Sequence, residues 1–276
     1  MTRACDSMVQ EADAPLLCAR TVSVRESLSS RVLVDGVDLE LRAGASLGIV
    51  GESGSGKTLL CRALLGLVPR GLEARGEVLF EGRDVLAMTE RERRILRGVG
   101  MSLVAQQAMT ALDPLEKVGS QLASLFRDRL HLGRSEAREL VLDSLLKVGL
   151  DERVANSYPH ELSGGMLQRC MIAISLGLES RLVVADEPTT ALDAQSQYEV
   201  LLALKKLVQE RGTALILVSH DLGAVQMMAD TVLVLQGGRC VEYGSAQTVF
   251  NAPEHEYTRY LVRTRKALSV NFGRKP

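Results

Sequence analysis

The chain has no tryptophan, only four phenylalanines and five tyrosines, and its first aromatic ring of any kind is Phe80. Ring stacking therefore cannot contribute to anything built from the first 79 residues. Cysteine is scarce and scattered, at Cys5, Cys18, Cys61, Cys170 and Cys240, with no C-x-x-C pair, which excludes a zinc knuckle and a disulfide framework and suits a reducing compartment. Neither sign of charge dominates: 33 basic against 34 acidic side chains leave a net charge of -1, so no overall positive field draws the chain to nucleic acid. Apolar runs of the roughly 18 residues needed for a membrane span are absent. Asp6, Glu11 and Asp13 interrupt the N-terminus where a signal peptide needs an apolar stretch, so any work at a membrane is expected from the cytoplasmic side and through a partner.

Hydrophobic residues make up 46% of the 276, enough for a substantial core in one α/β domain. Short apolar runs predict strands at 47–50, 99–104, 182–185 and 214–218, and helical spacing predicts helices at 59–66 and through a block reaching about Tyr158. Helical patterns before the last two strands imply βαβ units and a largely parallel sheet. Hairpins are expected at 76–85, around Glu81-Gly82, and at 232–243, around Gln236-Gly237-Gly238-Arg239.

Between the first strand and the first helix lies Gly51-Glu52-Ser53-Gly54-Ser55-Gly56-Lys57-Thr58, which fits G-x-x-x-x-G-K-[ST]. Glycines let amides turn inward onto phosphates, and the helix N-terminus adds a favourable dipole. Lys57 would meet the β- and γ-phosphates of a nucleoside triphosphate, and the Thr58 hydroxyl would ligate Mg²⁺. A second anion site is predicted where Ser163, Gly164 and Gly165 open an apolar helix at Met166 to Leu176. The strand at 182–185 runs into two carboxylates, Asp186 and Glu187.

Leu162-Ser163-Gly164-Gly165-Met166-Leu167-Gln168-Arg169 resembles the signature motif of the ABC ATPase superfamily, and the other motifs follow its order over about residues 17–263. The resemblance implies an α/β fold with a P-loop NTPase core, an antiparallel β subdomain and a helical subdomain. It divides the chain into a loose N-terminus at 1–14, an ATPase domain at 15–263 with the helical subdomain inserted at about 107–175, and a basic tail at 264–276. It assigns Asp186 to Mg²⁺ through water, Glu187 to orienting or deprotonating the attacking water, Gln106 to the Q-loop that links metal and water to the helical subdomain, and His220 to the γ-phosphate switch. Asp193, in Thr190-Ala191-Leu192-Asp193, falls in the D-loop that crosses to a second ATPase subunit. ATP with Mg²⁺ is the implied cofactor pair. The Ser163–Gly165 site would meet the γ-phosphate held by the opposite subunit, so the active site needs a dimer.

Met109-Thr110-Ala111-Leu112-Asp113-Pro114 and Asn251-Ala252-Pro253-Glu254-His255-Glu256-Tyr257-Thr258 resemble the dipeptide, oligopeptide and nickel importer subfamily. That subfamily implies two transmembrane permease subunits, an extracytoplasmic substrate-binding protein and a second ATPase, a different chain in preference to an identical one, at the cytoplasmic face of the bacterial inner membrane. Ala105 and Ala108 stand where the subfamily has Phe and Pro, and no aromatic is present to stack on adenine; Arg20 or Arg25 is the expected substitute, with softened base discrimination. No cysteine follows Cys240, and with the Met166-Leu167-Gln168-Arg169 variant this looks more like the nickel-type ATPase. Nickel or a related metal chelate is the expected cargo, peptides the second expectation, and a soluble ATPase of a phosphonate-degradation complex the rival from another class. His131, His160, His220, His255 and the dispersed cysteines form no ligand cluster, so the chain itself is expected to bind no transition metal.

Overall fold

The computed structural model describes residues 14–106 and 108–273, with the backbone alone from 266 onward. The loose N-terminus expected at 1–14 lies outside the described residues but for Ala14, and the last three residues of the basic tail also fall outside.

Two long strands, β1 (Leu17–Glu26) and β2 (Val32–Leu41), precede β3 (Ser46–Val50), which runs into α1 (Lys57–Leu64). Then come β4 (Leu72–Phe80), β5 (Arg83–Asp84), α2 (Glu90–Val99) and β6 (Met101–Val104). Helices α3 (Val118–Leu130), α4 (Arg134–Lys147) and α5 (Gly164–Gly177) lead to β7 (Leu182–Asp186), α6 (Ala194–Arg211), β8 (Ala214–Val218) and α7 (Leu222–Met228). The hairpin β9 (Thr231–Gln236) and β10 (Arg239–Ser245) is followed by α8 (Ala246–Asn251) and α9 (Glu256–Gly273).

Both hairpins form at the expected turns, but several boundaries move. The strand expected from Val99 begins instead at Met101, after the backbone leaves helical geometry at Arg97 and Gly98 near the end of α2. That helix starts at a capping box, in which Thr89 Oγ1 accepts the Glu92 amide and the Glu92 carboxylate accepts the Thr89 amide. Its ten residues bury no side chain, so hydrophobic periodicity is silent there. At the far end, α9 runs through the boundary expected at 263–264; Thr258 and Val262, four residues apart, are both buried on one face of it.

The strands form a four-stranded sheet of order β2-β1-β4-β5 and a six-stranded sheet of order β10-β9-β3-β8-β7-β6. In the second, β9, β3, β8, β7 and β6 are mutually parallel and β10 turns back antiparallel. Both faces of the central strands β3, β7 and β8 are buried, which is why they read as unbroken apolar runs. Leu47, Ile49, Val184, Ile216 and Leu233 point toward α1 and the antiparallel sheet, while Val183, Ala185, Leu215, Leu217 and Val232 point toward the helices. This two-residue alternation divides one sheet between two cores.

Candidate active site

Because β3, β8, β7 and β6 are parallel neighbours, their C-terminal ends open on one edge, where ligands of open α/β sheets bind. Residues 51–58 leave β3, Glu187 leaves β7, Ser219 and His220 leave β8, and Ala105 and Gln106 leave β6. Four segments distant in sequence therefore meet at that edge by topology alone.

The first is the phosphate loop. Its N-cap, Gly56, makes no side-chain cap, and the first turn of α1 holds no acidic residue. Helices α2, α5, α6 and α7 are capped by a side chain, whereas α1, like α3, is not, so the N-terminal amides of α1 are left to an anion. A Cβ on Gly51 would lie 2.2 Å from the Leu235 carbonyl oxygen, so only glycine lets β9 back the loop this closely. Lys57 is 5% exposed, and its ammonium donates to the carbonyls of Gly51 and Glu52, both at 2.8 Å. Burial pushes its pKa down, against the pull of the Glu187 and Asp186 carboxylates.

Across the loop, the Thr58 hydroxyl donates to Asp186 Oδ1 at 3.1 Å. Burial raises the Asp186 pKa, and Glu187 adds to it, while the Thr58 bond works the other way. A hydroxyl and a carboxylate oxygen at this separation suit Mg²⁺, which takes one or two protein oxygens and fills its shell with phosphate and water.

Glu187 is the point of convergence. Its Oε2 accepts from the Thr190 hydroxyl at 2.9 Å and from the Gln106 amide at 3.3 Å, and stands 3.4 Å from His220 Nδ1. The residue sits at φ 48°, in the left-handed region that non-glycine residues seldom occupy, and Ala191 follows at φ 62°. Strained backbone of this kind costs about 1–3 kcal/mol per residue and gathers at functional sites. Cysteine chemistry does not compete here: burial pushes the Cys61 thiol well up and the Cys170 thiol to about 12.

Ser163, Gly164, Gly165 and Asp193 form a separate patch. Ser163 Oγ accepts the Met166 amide and caps α5, while Asp193 caps α6 by accepting the Ser196 amide at 3.0 Å and hydroxyl at 2.7 Å. The two caps meet at Ser196, since a Cβ on Gly165 would lie 2.7 Å from the Ser196 Cβ. Ser53 and Gly54 lie exposed at the crest of the phosphate loop.

Sequence reading assigned no role to Thr190 and missed how the Q-loop is fixed. Gln168, 3% exposed on α5, donates to the carbonyls of Ala105 and Gln106 at 3.1 and 3.0 Å, tying the α5 helix to the loop. A buried glutamine amid apolar residues was the available signal. Of the two arginines considered for base stacking, Arg20 pairs with Glu77 at 3.0 Å. Arg25 lies opposite Val32, beside Leu33, whose carbonyl abuts Gly56.

Residues 34–190 match the family described as ABC transporter. The metal-staphylopine import system ATP-binding protein CntD of Staphylococcus aureus is 38% identical over 259 residues, covering 93% of this chain and 96% of its own length. The oligopeptide transport ATP-binding protein OppD of Salmonella typhimurium is 43% identical over 227 residues, 82% of this chain and 68% of its own. Among solved structures, the post-hydrolysis dimer of the ATP-binding cassette MJ0796 with ADP and Pi superposes with a TM-score of 0.75 at 26% identity, over 83% of this chain and 98% of that one. With a phosphate loop, paired carboxylates and a glutamine and histidine gathered on Glu187, the chain belongs to the ABC transporter family and is an ATP-binding, ATP-hydrolysing subunit.

Proposed function

We propose that the chain energises a bacterial importer from the cytoplasmic face of the inner membrane, as one half of an ATPase dimer beside two permease subunits and an extracytoplasmic binding protein. The observation that carries the chemistry is the convergence of Thr190, Gln106 and His220 on one carboxylate oxygen of Glu187. Phosphoryl transfer asks the protein for position and charge neutralisation more than for reactive groups. Lys57 exchanges the two carbonyls it now holds for phosphate oxygens. Thr58 and Asp186 would hold Mg²⁺, which would offset charge on the phosphates. Glu187 orients the attacking water, and His220, 63% exposed beside it, is free to reach the terminal phosphate. Ser163 and the amides of Gly164 and Gly165 serve the nucleotide of the opposite subunit, with Asp193 crossing alongside. The permease docks beside the Q-loop, where Met109 and Leu115 are 53% and 86% exposed.

The cargo we propose is nickel or a related transition metal held in a small chelate. Its support is the likeness to CntD over 93% of this chain, together with the features that resemble nickel-type ATPases. The likeness to OppD favours oligopeptides as the second reading. Cells lacking this subunit are expected to accumulate less nickel, cobalt or zinc under metal limitation while still growing on peptides. Unchanged metal content with lost growth on a dipeptide would replace the first reading by the second.

A further inference from the structure

The C-terminal segment returns to the phosphate loop. Strand β10 pairs with β9, and β9 lies beside β3, whose end feeds the loop. From β10, the Glu242 carboxylate accepts the amides of Glu254 and His255 at 3.0 and 3.1 Å and so fixes the approach to α9. In the first turn of that helix Tyr257, 7% exposed, places its hydroxyl oxygen 2.8 Å from the Glu52 amide, which donates to it. Further along, α9 stands off from Glu52 and His220 across a cleft of about 430 Å³ lined by Tyr260, Leu261 and Thr264.

We propose that Tyr257 is a positioning residue for the phosphate loop: its hydroxyl holds the Glu52 amide in the phosphate-receiving conformation, so that α9 sets the affinity for the triphosphate. The loop entry is held from two sides. Lys57 binds the Gly51 and Glu52 carbonyls, and Tyr257 binds the Glu52 amide. When Lys57 turns to the phosphates, the Gly51 carbonyl loses that bond and the Glu52 carbonyl keeps only the Ser55 amide at 3.1 Å; Tyr257 then holds the entry together with this turn and the Gly238 amide, which donates to the Ser55 carbonyl at 3.0 Å. The hydroxyl therefore matters most in the nucleotide-bound state. Removing it weakens binding without touching the groups that act on water.

The inference rests on residues 51–58 being the nucleotide site, and one assay separates the two. Equilibrium binding of MgATP to the full-length chain is measured by displacement of a fluorescent ATP analogue, with KM and kcat taken on the assembled complex. Loss of one hydrogen bond predicts that Tyr257→Phe weakens MgATP binding and raises KM about three- to tenfold, with kcat at saturation within about twofold of wild type. Tyr260→Phe, which removes a hydroxyl from the same helix, leaves both unchanged. Glu242→Gln, which loosens the approach to α9 and keeps Tyr257, shifts affinity in the same direction by about twofold or more and serves if the phenylalanine variant does not fold. Affinity unchanged in Tyr257→Phe, or in Glu242→Gln when it stands in, or a fall in kcat at unchanged KM, overturns the inference while wild type still binds. A wild-type chain that bound no MgATP would sink the phosphate-loop reading and this one with it.

Discussion

In its proposed role as a magnesium ligand, Asp186 is subject to two opposing demands. Magnesium requires an ionised carboxylate, yet the residue is 8% exposed and lies next to Glu187, so the protein without nucleotide holds a charge where burial disfavours it. Its pKa is raised above the ordinary 3.8, so the folded chain binds that proton more tightly than the unfolded one. The resulting cost is full above the raised value and is relieved as pH falls through it toward 3.8. Asp186→Asn removes the charge and keeps an oxygen for Thr58. Thermal melts at neutral pH should therefore show the variant more stable by roughly 0.5–2 kcal/mol, with the gain shrinking on acidification, while Mg²⁺-dependent ATP hydrolysis is lost. A variant less stable than wild type at neutral pH would contradict this account of the site. Asp186 itself was legible in the sequence, since an apolar strand ending in two carboxylates is a local pattern. The use of Glu187 as a common acceptor was not, because Gln106 and His220 reach it only through the order of the parallel strands, although Thr190 does so from three residues along the chain.

Among the elements, α5 and α6 show where sequence propensity and packing disagree. Alanine is favoured over glycine in helices by up to about 1 kcal/mol, less at the second position of α5 than in an interior, so Gly165→Ala considered alone would slightly stabilise α5. Its Cβ would meet Ser196 Cβ at 2.7 Å, and Ser196 is the residue through which Asp193 caps α6. Overpacking of this kind costs about 1–3 kcal/mol, so the steric term wins. Melts of Gly165→Ala should fall by several degrees, and the Ser163 and Asp193 caps should no longer share one surface; a melting temperature above wild type would show that α5 and α6 are not held this closely. The same competition decides which elements the sequence revealed. Strands of the parallel sheet, buried on both faces, announce themselves as apolar runs. The β1 and β2 strands do not, because shifts in pairing register at Ala19, Val22 and Val24 break their alternation. Helix α2, with no buried side chain, was recoverable only from its Thr89 and Glu92 cap, and α9 from the four-residue spacing of Thr258 and Val262.

Across the whole molecule, the phosphate loop with its paired carboxylates stands on the edge of the parallel sheet, whereas Ser163, Gly165 and Asp193 form a patch at the starts of α5 and α6. Gln168 links the two regions by holding the Q-loop backbone from α5, so a change at Gln106 reaches the helical part through a buried amide. Nucleotide state can thereby act on the surface proposed for the permease. All of this depends on Glu187 as the group that orients water, and substitution by glutamine tests it with little change of shape. In the assembled transporter, Glu187→Gln should keep MgATP affinity within about threefold, accumulate an ATP-bound closed dimer, and lower steady-state hydrolysis on the order of 10²-fold or more. Hydrolysis near the wild-type rate would contradict the assignment of Glu187 and the account built on it.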